Sequence, residues 1–225
     1  MSGKKGCLFI VSTPIGHIKD ITLRAIEILS DADAVICEEH RQGSTLLKKL
    51  EIQEKELILL NEHTEKESSS IIAGEIGLGK RYALISDCGT PGFADPGTEL
   101  IRICYQRGIP VIPVPGPSSL MTAISLSPLP MEEFYFAGFL PKKKEQRLQK
   151  LISYKEMRIP IILMDAPYRL LQVLSEVYES FGKHLKVLMA FDLTLPTEKI
   201  HFGSIEQVQK KMAAEKGEFI FILYP

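Results

Sequence analysis

The chain has 225 residues, 45% of them apolar and 24% charged, a balance that excludes a disordered polypeptide and supplies enough apolar side chain for two compact domains. A formal net charge of −1 excludes a globally basic surface, so any contact with nucleic acid has to come from a local patch. The four cysteines, Cys7, Cys37, Cys88 and Cys104, form no C-x-x-C pair, which signals neither a metal site nor a disulfide framework and points to a reducing, cytoplasmic location.

Lys4 and Lys5 precede an apolar run that Pro14 interrupts, too short for a signal sequence or a membrane span. That run, Cys7 to Val11, reads as a strand, and Ser12-Thr13-Pro14-Ile15-Gly16-His17 as the loop that ends it. Asp20 is the expected cap of a helix in which Ile21, Ala25, Ile28 and Leu29 recur at helical spacing. Further strands are expected at Ala34 to Cys37, Leu57 to Leu60, Tyr82 to Ser86 and Val111 to Val114. Helical stretches separate them, among them Thr98 to Arg107, with Gly108 as its C-terminal stop. Strands alternating with helices imply a mainly parallel sheet covered on both faces, and ligands on such sheets sit beyond the carboxyl ends of the strands.

Pro113, Pro115 and Pro117 alternate around Gly116 in a stiff connector that leads into a helix from Ser118 to Leu126, and the domain boundary is placed there, giving domains 1–114 and 118–225. Beyond it, strands are expected at Phe134 to Phe139, Ile159 to Met164, Lys186 to Phe191, Glu198 to Phe202 and Glu218 to Tyr224. Helices are expected at Lys143 to Lys155, Leu170 to Phe181 and Ser204 to Lys216, the last opened by a capping box of Ser204 and Gln207. Two consecutive strands without a helix between them make this second sheet mixed.

Three loops stand out chemically. Ser86-Asp87-Cys88-Gly89-Thr90-Pro91-Gly92-Phe93-Ala94-Asp95-Pro96-Gly97 follows a strand and carries three glycines, two prolines and two aspartates. Glycine lets backbone approach a ligand, and a strand-end aspartate accepts hydrogen bonds from a ribose or an ammonium group. Pro115-Gly116-Pro117-Ser118-Ser119 offers two hydroxyls at a helix start, where an anion is readily held, although Ser118 serves equally as a plain N-cap. Thr13-Pro14-Ile15-Gly16 is the third, and all three follow strands in the order that a single cleft requires.

Together these motifs resemble the tetrapyrrole-methylase superfamily, and within it the ribosomal RNA small-subunit methyltransferase I family, which methylates a cytidine ribose 2′-hydroxyl in 16S rRNA. The opening motif spans Thr13 to Thr22, Ser86 to Gly97 and Pro115-Gly116-Pro117 match two further signatures, and Gly138-Phe139-Leu140-Pro141 a fourth. A dinucleotide-type G-x-G-x-x-G is absent after the first strand, against a Rossmann-like methyltransferase.

The resemblance implies two α/β domains, the first mainly parallel and the second mixed, with S-adenosylmethionine in a cleft between them, and a homodimer. By position it places Ile15, Asp87, Thr90, Ser118, Ser119, Met164, Ala190 and Gly217 against the cofactor. Asp95 and Glu39 are candidates for the base that takes the ribose proton. Cys37-Glu38-Glu39-His40-Arg41 corresponds to the family's Ala-Glu-Asp-Thr-Arg, so Arg41 either holds an RNA phosphate or forms an ordinary surface ion pair.

From Pro141 to Arg158, Lys142, Lys143, Lys144, Arg147, Lys150, Lys155 and Arg158 face only Glu145 and Glu156. The run suits an RNA backbone, or equally the solvated face of a helix whose Leu148, Leu151 and Ile152 meet the core. His17 stands in place of the family's asparagine, Met164-Asp165-Ala166-Pro167-Tyr168-Arg169 in place of Tyr-Glu-Ser/Ala-x-His-Arg, and Phe191-Asp192-Leu193-Thr194-Leu195 in place of a segment with two more cations. Two other readings therefore stay open here: a methyltransferase for a small tetrapyrrole, and an RNA-binding relative without turnover.

Overall fold

In the computed structural model residues 5–92 and 95–225 are described, so Lys4, Phe93 and Ala94 lie outside the described residues. The chain divides into two compact units, Met1–Ser118 and Ser119–Pro225, each with its own sheet.

The first unit is a five-stranded parallel sheet of β1 (Cys7–Val11), β2 (Ala34–Cys37), β3 (Glu56–Leu59), β4 (Arg81–Ile85) and β5 (Val111–Val114) in the order β3-β2-β4-β1-β5. Alternation along each strand feeds two cores. Leu8, Ile36 and Leu84 meet Ile72 and Ile76 of α3 (Glu65–Gly77) and Leu100 and Cys104 of α4 (Thr98–Gln106). Phe9, Val11 and Val35 meet Ala25 and Leu29 of α1 (Leu23–Asp31) and Leu47 of α2 (His40–Lys49) on the other face. Burying apolar side chains on both faces, each worth about 1.5–3 kcal/mol when fully enclosed, fixes this three-layer sandwich.

The α1 cap departs from expectation. Asp20 ends a 3-10 turn over Ile18–Asp20, and Thr22 caps the helix instead, its hydroxyl accepting from the Ala25 N–H at 3.1 Å. The short turn uses up the residues before Thr22, moving the helix start past the aspartate. Gly108, at φ +65, stops the chain just after α4, as its position suggested.

The second unit begins with α5 (Ser119–Ser125). Its sheet has β6 (Tyr135–Phe139), β7 (Ile161–Asp165), β8 (Lys186–Phe191), β9 (Lys199–Ser204) and β10 (Phe219–Tyr224) in the order β6-β7-β10-β8-β9. Only β6 and β7 are parallel; β7-β10, β10-β8 and β8-β9 are antiparallel, so the sheet is mixed. The helices α6 (Lys144–Met157), α7 (Leu170–Phe181) and α8 (Ile205–Met212) bring Leu151, Val173 and Val208 onto one sheet face, against Leu163, Met189 and Phe221. The capping box at Ser204 and Gln207 forms as expected, but the helix ends at Met212, where the Glu215 N–H turns back to the Met212 carbonyl at 3.0 Å.

Two details of α6 differ from the pattern reading. Ile152 is 56% exposed, because Tyr154 takes the core position beside Leu151. Arg147 is buried, not part of a cationic surface. Its Nε and Nη2 each donate to the Glu176 carboxylate at 2.7 Å, and its Nη1 donates to the Pro141 and Lys142 carbonyls at 3.1 and 2.5 Å. The guanidinium therefore holds the end of the Gly138-to-Pro141 motif rather than facing solvent.

Candidate functional site

The parallel arrangement brings the carboxyl ends of β4, β1 and β5 side by side, and the three loops leaving them are joined by hydrogen bonds. Thr13 and Gly89 exchange backbone bonds, Thr13 N to Gly89 O at 2.8 Å and Gly89 N to Thr13 O at 3.2 Å, an isolated bridge between the first and second loops. The Thr90 hydroxyl donates to the Pro117 carbonyl in the third loop at 3.1 Å. Ser12 Oγ lies 2.9 Å from Thr90 Oγ1, and since the Thr90 proton is already engaged, Ser12 is the donor. Ser12 N also donates to the Val114 carbonyl at 3.1 Å, completing the tie to the β5 end.

Glycine is required at two of these crossings. Gly89 sits at φ +81, and a Cβ there would meet Ile15 Cγ2 at 3.3 Å. At Gly116 a Cβ would lie 3.0 Å from the Ser12 Cβ, a tight approach that a side chain would force apart by a few tenths of an ångström. The glycines thus permit the close backbone approach that a small ligand needs.

Of the residues singled out from sequence, Ile15, Asp87, Thr90 and Ser118 stand on these joined loops of the first unit. Behind the first loop lies a cavity of about 180 Å³ whose wall includes Ile15, Asp87 and Cys88 together with Gln42, Thr45 and Lys49 of α2. Ser119 opens α5 in the second unit. Met164 and Ala190 flank Ile220 in one row across the second sheet, on the face opposite to α6, α7 and α8. Gly217 is packed so closely that a Cβ would collide with Asp192 and Phe191.

The first site is acidic. Partial burial pushes the Asp87 carboxyl above its ordinary range; the Glu39 backbone N–H opposes this by donating to it, while the Glu39 and Asp95 carboxylates push it further up. Glu38 is raised as well, first by burial and then by Asp87, Asp95, Glu39 and Glu62. Sequence reasoning gave Glu38 no role; its position one residue past β2, beside the expected Glu39, was the available signal. Glu39 precedes α2 without using its side chain as a cap, and Arg41 lies exposed in the first turn, its carbonyl accepting from the Thr45 hydroxyl at 2.7 Å. A cluster of carboxylates, exposed or half-buried, beside glycine-rich backbone suits a ligand that brings positive charge and hydroxyl donors.

The remaining motif, Gly138 to Pro141, is gripped by buried arginines. Arg169 donates to the Leu140 and Pro141 carbonyls, each at 3.1 Å, and pairs with Asp165 at 3.2 Å. Asp165 and Arg169, part of a segment that departs from the family pattern, thereby tie β6 to β7. In the other departing segment Asp192 accepts from the Glu218 N–H at 2.9 Å and from the Thr197 hydroxyl at 2.8 Å. Among the described residues there is no group of three metal-ligating side chains and no helix long and apolar enough to cross a membrane.

Comparison with known proteins agrees with this architecture. Residues 7–209 match the family described as Tetrapyrrole (Corrin/Porphyrin) Methylases. The chain is 34% identical to ribosomal RNA small subunit methyltransferase I of Neisseria meningitidis serogroup A, over 98% of this chain and 76% of that one. It is also 34% identical to the Leptospira biflexa protein of the same name, over 98% of this chain and 91% of that one. Among solved structures, a diphthine synthase superposes with a TM-score of 0.77 at 14% identity, over 96% of this chain and 89% of that one. A uroporphyrin-III-C-methyltransferase from Thermus thermophilus superposes with a TM-score of 0.64 at 18% identity, covering 97% and 94%, and these two likenesses carry the fold alone. The chain belongs to the tetrapyrrole methylase family and, within it, to the ribosomal RNA small subunit methyltransferase I group, and it is a methyltransferase.

Proposed function

We propose that this methyltransferase uses S-adenosylmethionine to methylate the ribose 2′-hydroxyl of a cytidine in 16S rRNA of the small ribosomal subunit, working in the cytoplasm as a homodimer. The observation that carries the reading is the hydrogen-bonded junction of the three loops after β4, β1 and β5, with Gly89 and Gly116 at the crossings and Asp87 beside them. The sequence relationship to the rRNA methyltransferases supplies the substrate class.

The cofactor, when bound, supplies an activated methyl group on a cationic sulfur. In this reading the Asp87 carboxylate accepts hydrogen bonds from the ribose hydroxyls of the nucleoside, and the carboxylates of Glu39 and Asp95 near it favour a positive charge. Ile15 offers an apolar surface, Thr90 fixes the loop geometry, and Ser118 and Ser119 offer hydroxyls to the carboxylate end. Met164, Ala190 and Gly217 of the second unit are proposed to contribute to cofactor recognition as well. Glu39 or Asp95 would take the proton of the acceptor hydroxyl, whose oxygen would receive the methyl group that the cofactor supplies. Arg41, exposed at the start of α2, holds a phosphate of the RNA. Positioning of acceptor and donor in line accounts for most of the rate.

Calorimetry with S-adenosylmethionine and its demethylated product, together with labelled methyl transfer to purified 30S subunits, tests this. Expected are binding of both compounds and label in a single ribose of 16S rRNA. Absence of heat with either compound, or label accepted by a tetrapyrrole and not by 30S subunits, overturns it.

A further inference from the structure

The cavity of about 180 Å³ behind the first loop is smaller than the roughly 300 Å³ at which pockets begin to enclose a whole drug-sized ligand, so it takes one ring-sized part of a ligand. Its composition is graded. Ile15, Ile18 and Leu46 give apolar walls, while Gln42, Thr45 and Lys49 line it from successive turns of α2. Thr45 is anchored, its hydroxyl donating to the Arg41 carbonyl at 2.7 Å. Lys49 is exposed, and none of the ion pairs among the described residues involves it. The Gln42 amide presents a donor and an acceptor together. Asp87, at the edge of the same cavity, also stands on the loops assigned to the cofactor.

A slot of mixed polarity, with aliphatic side chains, a bifunctional amide and an uncommitted ammonium, matches an unstacked nucleobase with its phosphate. Sequence-specific RNA recognition targets single-stranded nucleotides whose unstacked bases are read by hydrogen bonds to their edges and by contact with their faces. We infer that this cavity is the acceptor-nucleotide subsite: the base of the RNA nucleotide being methylated enters between Ile15, Ile18 and Leu46, Gln42 hydrogen-bonds its edge, and Lys49 meets its phosphate. The inference rests on the rRNA reading above and assigns Gln42, Leu46 and Lys49, which the family motifs do not reach. It makes α2, through Gln42 and Lys49, the element that selects and positions the acceptor.

Methylation of purified 30S subunits by Q42A, K49Q and T45W is the test, with cofactor affinity measured on each variant and K48Q as a surface-charge control. All three substituted side chains are exposed along the cavity wall and bear none of the core packing of α2, whose buried positions are Gly43 and Leu47. K49Q is expected to raise KM for 30S subunits about tenfold and to flatten the salt dependence of RNA binding by roughly one phosphate contact, with K49R restoring both. Q42A is expected to raise KM by an order of magnitude or so and to relax preference among pyrimidines at the modified position. T45W, which fills the slot, is expected to abolish transfer, with cofactor affinity falling far less because only Ile15 and Asp87 are shared with the cofactor. Wild-type KM and kcat in all three variants overturn the inference and leave the rRNA reading standing. A wild-type chain that transfers no label to 30S subunits overturns the rRNA reading and this inference with it.

Discussion

Arg147 and Glu176 form a two-pronged ion pair inside the second unit, with their side chains only 3% and 5% exposed. The pair lowers the Glu176 carboxyl below its ordinary range, chiefly through the hydrogen bond from Arg147, and the same guanidinium holds the Pro141 and Lys142 carbonyls. Three separated segments, α6, α7 and the end of the Gly138-to-Pro141 motif, therefore depend on one side chain.

Removing one partner of such a pair leaves the other charged and enclosed. R147M and E176Q are each expected to lower unfolding free energy by about 3–5 kcal/mol in guanidinium titration, whereas the double substitution R147M/E176L should recover a large part of the loss. If R147M instead leaves the denaturation midpoint unchanged and only weakens RNA binding, Arg147 belongs to the cationic surface after all.

Thr90 links all three loops through one hydroxyl, and T90V keeps the shape while deleting both of its hydrogen bonds. Because Thr90 is exposed, stability should fall by no more than about 1 kcal/mol. The loops should loosen, and the dissociation constant for S-adenosylmethionine should rise roughly tenfold, the equivalent of about 1.4 kcal/mol. S12A removes one of the same bonds and should show a smaller increase, with T90V and S12A effects less than additive in calorimetry.

How much of this was legible beforehand differs by level. Strand and helix order was readable because apolar runs such as Ala34 to Cys37 and Val111 to Val114 are bounded by turn residues, and both occur as strands over those residues. The three loops were visible from glycine and proline content, but not the bonds that join them, since Ser12, Thr90 and Pro117 meet only because β1 lies between β4 and β5 in the sheet. Arg147 misled for a related reason. A cation in a charged run reads as solvated, and its buried partner stands 29 residues away on another helix. Glu38 was overlooked because its raised pKa arises from burial in the folded chain, reinforced by carboxyls brought together from separate loops.

Glu38 supplies a pH prediction. Its folded pKa lies above the ordinary 4.5, so the native state holds this proton more tightly than the unfolded chain does. An ionised Glu38 therefore destabilises the fold above its folded pKa, and the penalty is relieved as pH falls through that value, disappearing below the unfolded pKa. E38Q is expected to melt higher than the wild type at about pH 7.5 and to lose that advantage by about pH 4, with a small effect because the group is only partly enclosed. Equal melting differences at both pH values would remove the electrostatic account of Glu38.

The loop carrying Asp87, Asp95 and Gly97 is held from outside by Glu65. The first residue of α3, Glu65 accepts from the Gly97 and Glu99 N–H groups at 2.8 and 2.9 Å, and so caps α4 from another helix. Gly97 itself cannot supply a side-chain cap, and its φ of +128 with a would-be Cβ 2.6 Å from Leu84 Cδ2 forbids a substitute. E65A should therefore cost about 1–2 kcal/mol of stability, as loss of a charged cap does. It should also let the Asp87 loop move, raising the S-adenosylmethionine dissociation constant several-fold although Glu65 is not one of the residues assigned to the cofactor. E65D, too short to reach both N–H groups, should fall between the two, and amide exchange at Gly97 and Glu99 should quicken in the same order. A full loss of stability in E65A with unchanged cofactor affinity and unchanged exchange at those two amides would separate the cap from the site.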